Sequence, residues 1–153
     1  NWCGVFPPEI FANQMEKVSR GFMNSLEMIK TEMGNINIDN PKYKKNVEQE
    51  CRVIEVCALH YESTANQARF VLLRNELTNN NVSDDRKKQI IEELKQIIQR
   101  EKELAIREYN IQIADSRFGF EATNHYFFVP LDLVLKSLNC EELLNNWIPQ
   151  ISK

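Results

Sequence analysis

Apolar residues recur at alternating intervals of three and four over most of this chain, and the spacing predicts helices. The first predicted helix lies between Pro7 and Gly34. Its apolar stripe consists of Phe11, Met15, Val18, Phe22, Leu26, Ile29 and Met33. The second begins at Pro41 and continues to about Thr78, with a seam formed by Val47, Cys51, Ile54, Ala58, Tyr61, Ala65, Ala68 and Leu72. Such alternation is typical of amphipathic helices in an antiparallel bundle or coiled coil.

Two further helices follow an Asn- and Asp-rich turn. Ser83 is the predicted N-cap of the third helix, with Asp84 and Asp85 at the positive end of its dipole. That helix runs to about Ile113, and its inward side consists of Ile90, Leu94, Ile97, Leu104 and Ile111. The fourth helix starts near Pro130, and its expected buried side consists of Leu131, Val134, Leu135, Leu138 and Leu144.

Together these segments predict an all-α fold. We expect an up-and-down bundle of three long helices plus a shorter C-terminal helix, with an aromatic-rich loop before the last helix. A chain of 153 residues fits a single helical domain, 1–153, in which 1–7 is linker-like. The chain begins at Asn1 and not at Met, so we expect a fragment of a longer multidomain chain.

Charge and hydropathy exclude several classes of partner. The formal net charge is −3, without the basic surplus that phosphate binding requires, so nucleic acid is not an expected partner. No run of apolar residues approaches the ~18 needed for a membrane span, and no membrane span is expected.

The cysteines do not have the spacing of a disulfide framework or of a metal-binding motif. Cys51 and Cys57 lie six residues apart on one predicted helix, which suits neither a disulfide nor the two-residue spacing of a metal clip. Free, mostly buried thiols are the preferred interpretation. A bridge between Cys3 and Cys140, both near the termini, is the alternative.

The loop before the fourth helix, "DSRFGFEATNHYFFVP" (115–130), brings aromatic, charged, amide and imidazole side chains together within sixteen residues. Its candidate ligand-binding residues are Arg117, Phe120, Glu121, Asn124, His125 and Tyr126. Aromatic rings beside amide, carboxylate and guanidinium groups are typical of a sugar-binding site, because a pyranose stacks on an aromatic ring while its hydroxyls hydrogen-bond to polar side chains. The same residues suit a loop that plugs the end of a bundle.

The second helix carries a polar patch among core positions. Ser63, Asn66, Gln67 and Arg74 form this patch. We interpret it as a hydrogen-bonded clasp for the loop, which would dock on the small-residue seam around Ala65; a pocket wall is the alternative. Polar groups near a core need partners, because an unmet one costs about 1–3 kcal/mol.

Catalysis is a minor hypothesis at this stage. Asp115 and Glu121, with His125, have the residue types of a hydrolase, but that chemistry needs two carboxylates held ~5–10 Å apart across an open cleft. An internal salt bridge or a helix-end contact of Asp115 with Arg117 is the preferred interpretation over a catalytic pair. We predict no catalytic residue, no metal site and no cofactor for this segment.

Three stretches carry a resemblance to a known class of protein. They are "STANQARFVLLRNEL" (63–77), "DSRFGFEATNHYFFVPLDL" (115–133) and "NCEELL" (139–144), about a quarter of the chain. They resemble the helical C-terminal region of large bacterial carbohydrate-active proteins of glycoside-hydrolase type, whose catalytic barrel lies upstream. Phe118 and Thr123 depart from that pattern, where an aliphatic residue and a Ser are expected.

The resemblance implies a non-catalytic accessory domain that supports or extends the substrate cleft of such an enzyme. Its partners would be the upstream catalytic domain of the same chain and an oligosaccharide, and its location periplasmic, cell-surface or secreted. The alternative is a protein-interaction helical bundle with no sugar role.

Overall fold

Four principal helices form the protein, and the all-α prediction is confirmed. The computed structural model describes residues 4–36, 40–79, 81–121, 126–127 and 129–152. The helices are α1 (Pro8–Asn35), α2 (Pro41–Leu77), α3 (Asp84–Ala114) and α4 (Pro130–Glu142). A π-helical turn (Leu143–Trp147) and the short α5 (Ile148–Ile151) continue α4. Between α3 and α4, β1 (Phe120–Glu121) and β2 (Tyr126–Phe127) pair antiparallel.

The helix ends follow the sequence signals closely. Asn40 caps α2 by accepting the Lys42 N–H at 3.0 Å, and Ser83 caps α3 by accepting the Arg86 N–H at 3.3 Å. Each cap satisfies one of the N–H groups that a first helical turn leaves without an intrahelical partner. Helix α1 passes through Gly34 and ends one residue later than predicted.

The alanine seam of α2 receives α1. Phe22 of α1 stacks on Tyr61 of α2, with ring centroids 6.0 Å apart. Ala58 and Ala65 lie three and four residues from Tyr61 on the same face of α2, and both are 0% exposed. The small side chains therefore let α1 approach closely. Most of the loop expected to dock on this seam lies outside the described residues, so that expectation stays a prediction.

The opposite face of α2 contributes to the main core. One buried cluster joins the end of α2 to α3, α4 and α5; it contains Leu73, Ile90, Ile91, Leu94, Ile98, Cys140 and Ile148. A smaller cluster between the middle of α2 and the second half of α3 contains Leu59, Leu104 and Ile111. Helix α2 is thus buried on two sides, whereas the sequence pattern showed only the alanine seam.

The predicted buried side of α4 is wrong for four of its five residues; the fifth, Leu144, lies beyond α4 in the π-helical turn and packs half-buried against the main core cluster. Its apolar stripe, Leu131, Val134, Leu135 and Leu138, is 40–63% exposed. The buried residues of α4 are Leu133 and Cys140, on the other side of the helix. The buried side also carries two ion pairs to α3, Lys136 with Glu101 and Glu141 with Lys102.

Candidate functional site

A buried polar hub joins α2, α3 and α4. The Glu101 carboxylate, on a residue only 7% exposed, accepts hydrogen bonds from Ser63 Oγ at 2.5 Å and from Asn66 Nδ2 at 3.0 Å. The Lys136 ammonium forms an ion pair with Glu101 and donates to Ser63 Oγ at 2.9 Å. Gln67 Nε2 also donates to Ser63 Oγ, at 3.0 Å. Both carboxylate oxygens and the hydroxyl are therefore satisfied, as a buried charge requires.

Within this hub, the polar patch of α2 bonds to other partners than the loop, which was the partner expected from sequence. Ser63, Asn66 and Gln67 bond to α3, to α4 and to each other, and none bonds to the described part of the loop. Their role as a loop clasp is therefore not seen in the described residues. Instead they hold three helices together.

A cleft of about 500 Å³ opens beside the hub, between α2 and α4, with α3 as its floor. Its lining residues are Asn66, Gln67, Phe70, Val71, Arg74, Ile97, Ile98, Glu101, Lys136, Asn139, Cys140 and Leu143. Arg74 is exposed, and its guanidinium donates only to Asn75 Oδ1, at 3.4 Å, within the described part of the chain. The pocket-wall alternative for the α2 patch therefore has geometric support.

A second buried carboxyl, Glu108, lies two helical turns beyond Glu101 on the same face of α3. Among described residues its Oε1 atom is buried and has no hydrogen-bond partner. Burial raises the pKa of Glu108 to about 7; the negative charge of Glu101 adds to the rise and the positive charge of Lys136 opposes it. This carboxyl therefore holds a proton to higher pH than an ordinary glutamate does.

His60 shares the same electrostatic neighbourhood. Burial, followed by the positive charge of Lys136, lowers the pKa of His60. The imidazole is also in edge-to-face contact with Tyr61. His60 is therefore neutral at pH 7.

Sequence reasoning missed the acids and the lysine of this region. Glu101 and Glu108 are in phase with the apolar positions Leu94, Leu104 and Ile111, so they fall on the inward stripe of α3. Their position on this stripe is the sequence signal that could have identified them, because a charged residue on an apolar stripe must be paired or must change its protonation state.

The start of the loop forms the salt bridge that the sequence predicted. Arg117 donates to Asp115 through Nε at 2.8 Å and through its terminal nitrogen at 2.6 Å. These bonds hold the pKa of Asp115 at about 2, and Arg52 lies 3.9 Å away from the same carboxylate. Asp115 is therefore a permanent anion at physiological pH, unsuited to general-acid catalysis.

Phe118 anchors the loop on the groove between α2 and α3. Its ring packs against the Leu59, Leu104 and Ile111 cluster, and its carbonyl accepts Gln112 Nε2 at 3.1 Å. Gly119 follows with φ of +87°, a conformation that side chains disfavour. The loop thus meets α2 more than a full turn away from the Ser63 patch.

The remaining loop candidates are only partly located. Backbone pairing sets Phe120 opposite Phe127 and Glu121 opposite Tyr126. Asn124 and His125 lie outside the described residues. The sugar-site hypothesis for these residues stays a prediction.

Ser63 and Lys136 of the hub have the residue types of a Ser–Lys nucleophile and base, but both side chains are engaged by Glu101. Ser63 is 6% exposed and donates its proton to Glu101. Lys136 is engaged as an ammonium by that carboxylate, so it has no lone pair with which to accept the Ser63 proton. In the described ranges no three metal-ligating side chains come together, and no described helix is long and apolar enough to cross a membrane.

The thiols are free where they are described. Cys51 and Cys140 are buried and Cys57 is half-buried, and all three are free, in agreement with the preferred interpretation; Cys3 lies outside the described residues. Comparison with known proteins finds no protein-family model, no curated protein and no solved structure that matches this chain.

Proposed function

We propose that this chain is a non-catalytic accessory helical domain of a bacterial carbohydrate-active enzyme. It packs beside the catalytic domain and supports or extends that domain's substrate cleft. The observation that carries the proposal is the exposed apolar stripe of α4, Leu131, Val134, Leu135 and Leu138.

The stripe has the spacing of a docking face. Its members lie at positions i, i+3, i+4 and i+7 of one helix, which is the pattern of a helix that packs against another protein surface. Ile106 and Ile113 of α3, the helix on which α4 packs, are also 46% and 58% exposed. Burying one such leucine contributes roughly 1.5–3 kcal/mol, so burial of the stripe would favour contact with an adjacent domain.

The chemistry of the described residues supports a non-catalytic role. Asp115 is held by Arg117, and Ser63 and Lys136 are held by Glu101. Each of these groups stabilises the fold, so none is available as an acid, base or nucleophile.

The carbohydrate part of the proposal is supported by the sequence resemblance. Two of its three stretches contribute to the contacts described above: 63–77 carries the α2 side of the hub and cleft, and 139–144 supplies Asn139, Cys140 and Leu143 to the cleft. The third, 115–133, contains the loop and the beginning of α4, including Leu131 of the exposed stripe.

The experiment compares this chain alone with the natural polypeptide that contains it. Hydrolysis of a panel of polysaccharides and aryl glycosides is measured for both, with Leu135→Glu/Leu138→Glu as the test variant. The matched control is Met28→Glu on α1, which is also a large exposed apolar residue.

We expect hydrolysis only from the natural polypeptide, and a loss of activity or of thermal stability there with the α4 variant but not with the control. The same α4 variant leaves the isolated chain as stable as before. A natural polypeptide that hydrolyses no glycoside, yet loses a protein partner with the α4 variant, would instead support the interaction bundle without a sugar role.

A further inference from the structure

The cleft between α2 and α4 is lined in a way that selects one kind of small molecule. Its walls are mainly apolar, with Phe70 and Val71 on α2, Ile97 and Ile98 on α3 and Leu143 beyond α4. Its volume of about 500 Å³ falls within the range of ordinary ligand pockets. Apolar walls of this extent favour a ligand with an apolar body.

The charges of the cleft favour an anionic head. Glu101 does not repel an anion, because Lys136, Ser63 and Asn66 already neutralise and hydrogen-bond its carboxylate. Arg74 is different, because no described carboxylate pairs with it. The formal sum of these three charged groups, −1 for Glu101 and +1 each for Lys136 and Arg74, is +1.

Arg74 lies at one end of the apolar wall. Gln67, Phe70, Val71 and Arg74 occupy positions i, i+3, i+4 and i+7 of α2, so they follow one another along one side of the helix. Phe70 and Val71 form the middle, and Arg74 forms the end, about 10 Å from Gln67 along the axis. The planar guanidinium fork matches the two oxygens of a carboxylate.

We propose that this cleft binds a small amphipathic carboxylate, with its head on Arg74 and its apolar body along Phe70, Val71 and Ile97. The proposal goes beyond the accessory-domain function. It uses a different side of α4 from the exposed stripe, since Asn139, Cys140 and Leu143 line the cleft whereas Leu131, Val134, Leu135 and Leu138 do not. The two proposals therefore fail independently.

The test is a calorimetric titration of the 153-residue chain with decanoate, decanol and acetate. The head variant is Arg74→Gln, and the matched control is Arg20→Gln, which removes the same charge from an exposed position on α1. Val71→Asp is a second variant, which places a negative charge on the apolar wall. Thermal unfolding of each variant verifies that it is folded.

We expect saturable binding of one decanoate per chain, weakened roughly tenfold or more by Arg74→Gln, as for the loss of a charge-assisted hydrogen bond. Val71→Asp has an effect at least as large, and Arg20→Gln changes the affinity by less than about twofold. Decanol, which lacks the charge, binds roughly tenfold more weakly or worse, and acetate, which lacks the apolar body, shows no saturation.

Four outcomes would overturn the proposal. One is the absence of saturable decanoate binding up to about 1 mM. Another is equal binding of decanol and decanoate, which indicates unspecific apolar contact, as at the α4 stripe. The third is an equal response of Arg74→Gln and Arg20→Gln. Binding of a neutral oligosaccharide in place of decanoate would also overturn it, while supporting the carbohydrate role.

Discussion

Lys136 of α4 forms an ion pair with Glu101 of α3, on the side of α4 that faces the protein. The ammonium also donates to Ser63 of α2, so the contact spans three helices. Because Lys136 points inward, the leucines on the other side of α4 face outward. The candidate cleft and the exposed stripe therefore lie on different sides of α4.

Removal of Lys136 should be strongly destabilising. Lys136→Met leaves the Glu101 carboxylate buried without its counter-ion, and we expect a loss of about 3–5 kcal/mol in the free energy of unfolding, measured by urea denaturation. Glu101→Leu combined with Lys136→Met should recover most of that loss, because the unpaired charge is gone.

The control for that experiment is Lys95→Met. Lys95 pairs with Glu92 on the solvent-exposed side of α3. Such a surface pair contributes about 0–1 kcal/mol. If Lys136→Met costs no more than Lys95→Met, the hub does not hold α4 in place.

Glu108 should make the stability of the protein depend on pH. Its pKa is about 7 in the folded protein and 4.5 as its ordinary value, so the folded state binds the proton more tightly than the unfolded state does. The free energy of unfolding therefore falls as the pH rises from 4.5 through about 7, by up to about 3 kcal/mol. Urea denaturation at several pH values measures this fall.

Glu108→Gln removes the titrating group and should raise the stability at pH 8 while leaving that at pH 4 little changed. Glu92→Gln, at an exposed position on the same helix, should keep the wild-type pH profile. A Glu108→Gln protein with an unaltered profile would show that Glu108 does not titrate in this range.

Asp115 should titrate far below an ordinary carboxyl. The hydrogen bonds from Arg117 lower its pKa from 3.8 to about 2, which NMR of the carboxyl carbon measures directly. Because the folded pKa is depressed, the stabilisation is complete above pH 3.8 and is lost as the pH falls towards 2. Arg117→Gln should bring the pKa back towards 3.8, and Arg107→Gln, whose partner is Glu55, should not.

Alanine substitutions on the two sides of α4 should change the free energy of unfolding of the isolated chain by very different amounts. Leu135→Ala removes an exposed side chain and should change the free energy of unfolding by less than about 0.5 kcal/mol. Leu133→Ala removes a buried one and should cost about 2–4 kcal/mol. A larger loss for Leu135→Ala, measured by urea denaturation, would mean that the stripe is covered in the isolated chain.

Much of the fold follows from local chemistry that the sequence displays directly. The three-four alternation indicated the long helices, and Asn40 and Ser83 cap two of them because their side chains accept N–H groups only a few residues away. The salt bridge of Asp115 with Arg117 was also predictable, since the partners lie two residues apart.

The contacts between helices were decided only by the tertiary structure. Periodicity indicates that α4 has an apolar stripe, but not whether a neighbouring helix covers it. Here the side of α4 with Leu133, Lys136 and Cys140 packs on the protein, and the stripe faces outward. The same holds for the cleft, whose walls come from three helices that are far apart in the chain. A sequence determines which side chains share a face of a helix, whereas the partner of that face depends on long-range packing and on the burial of charge.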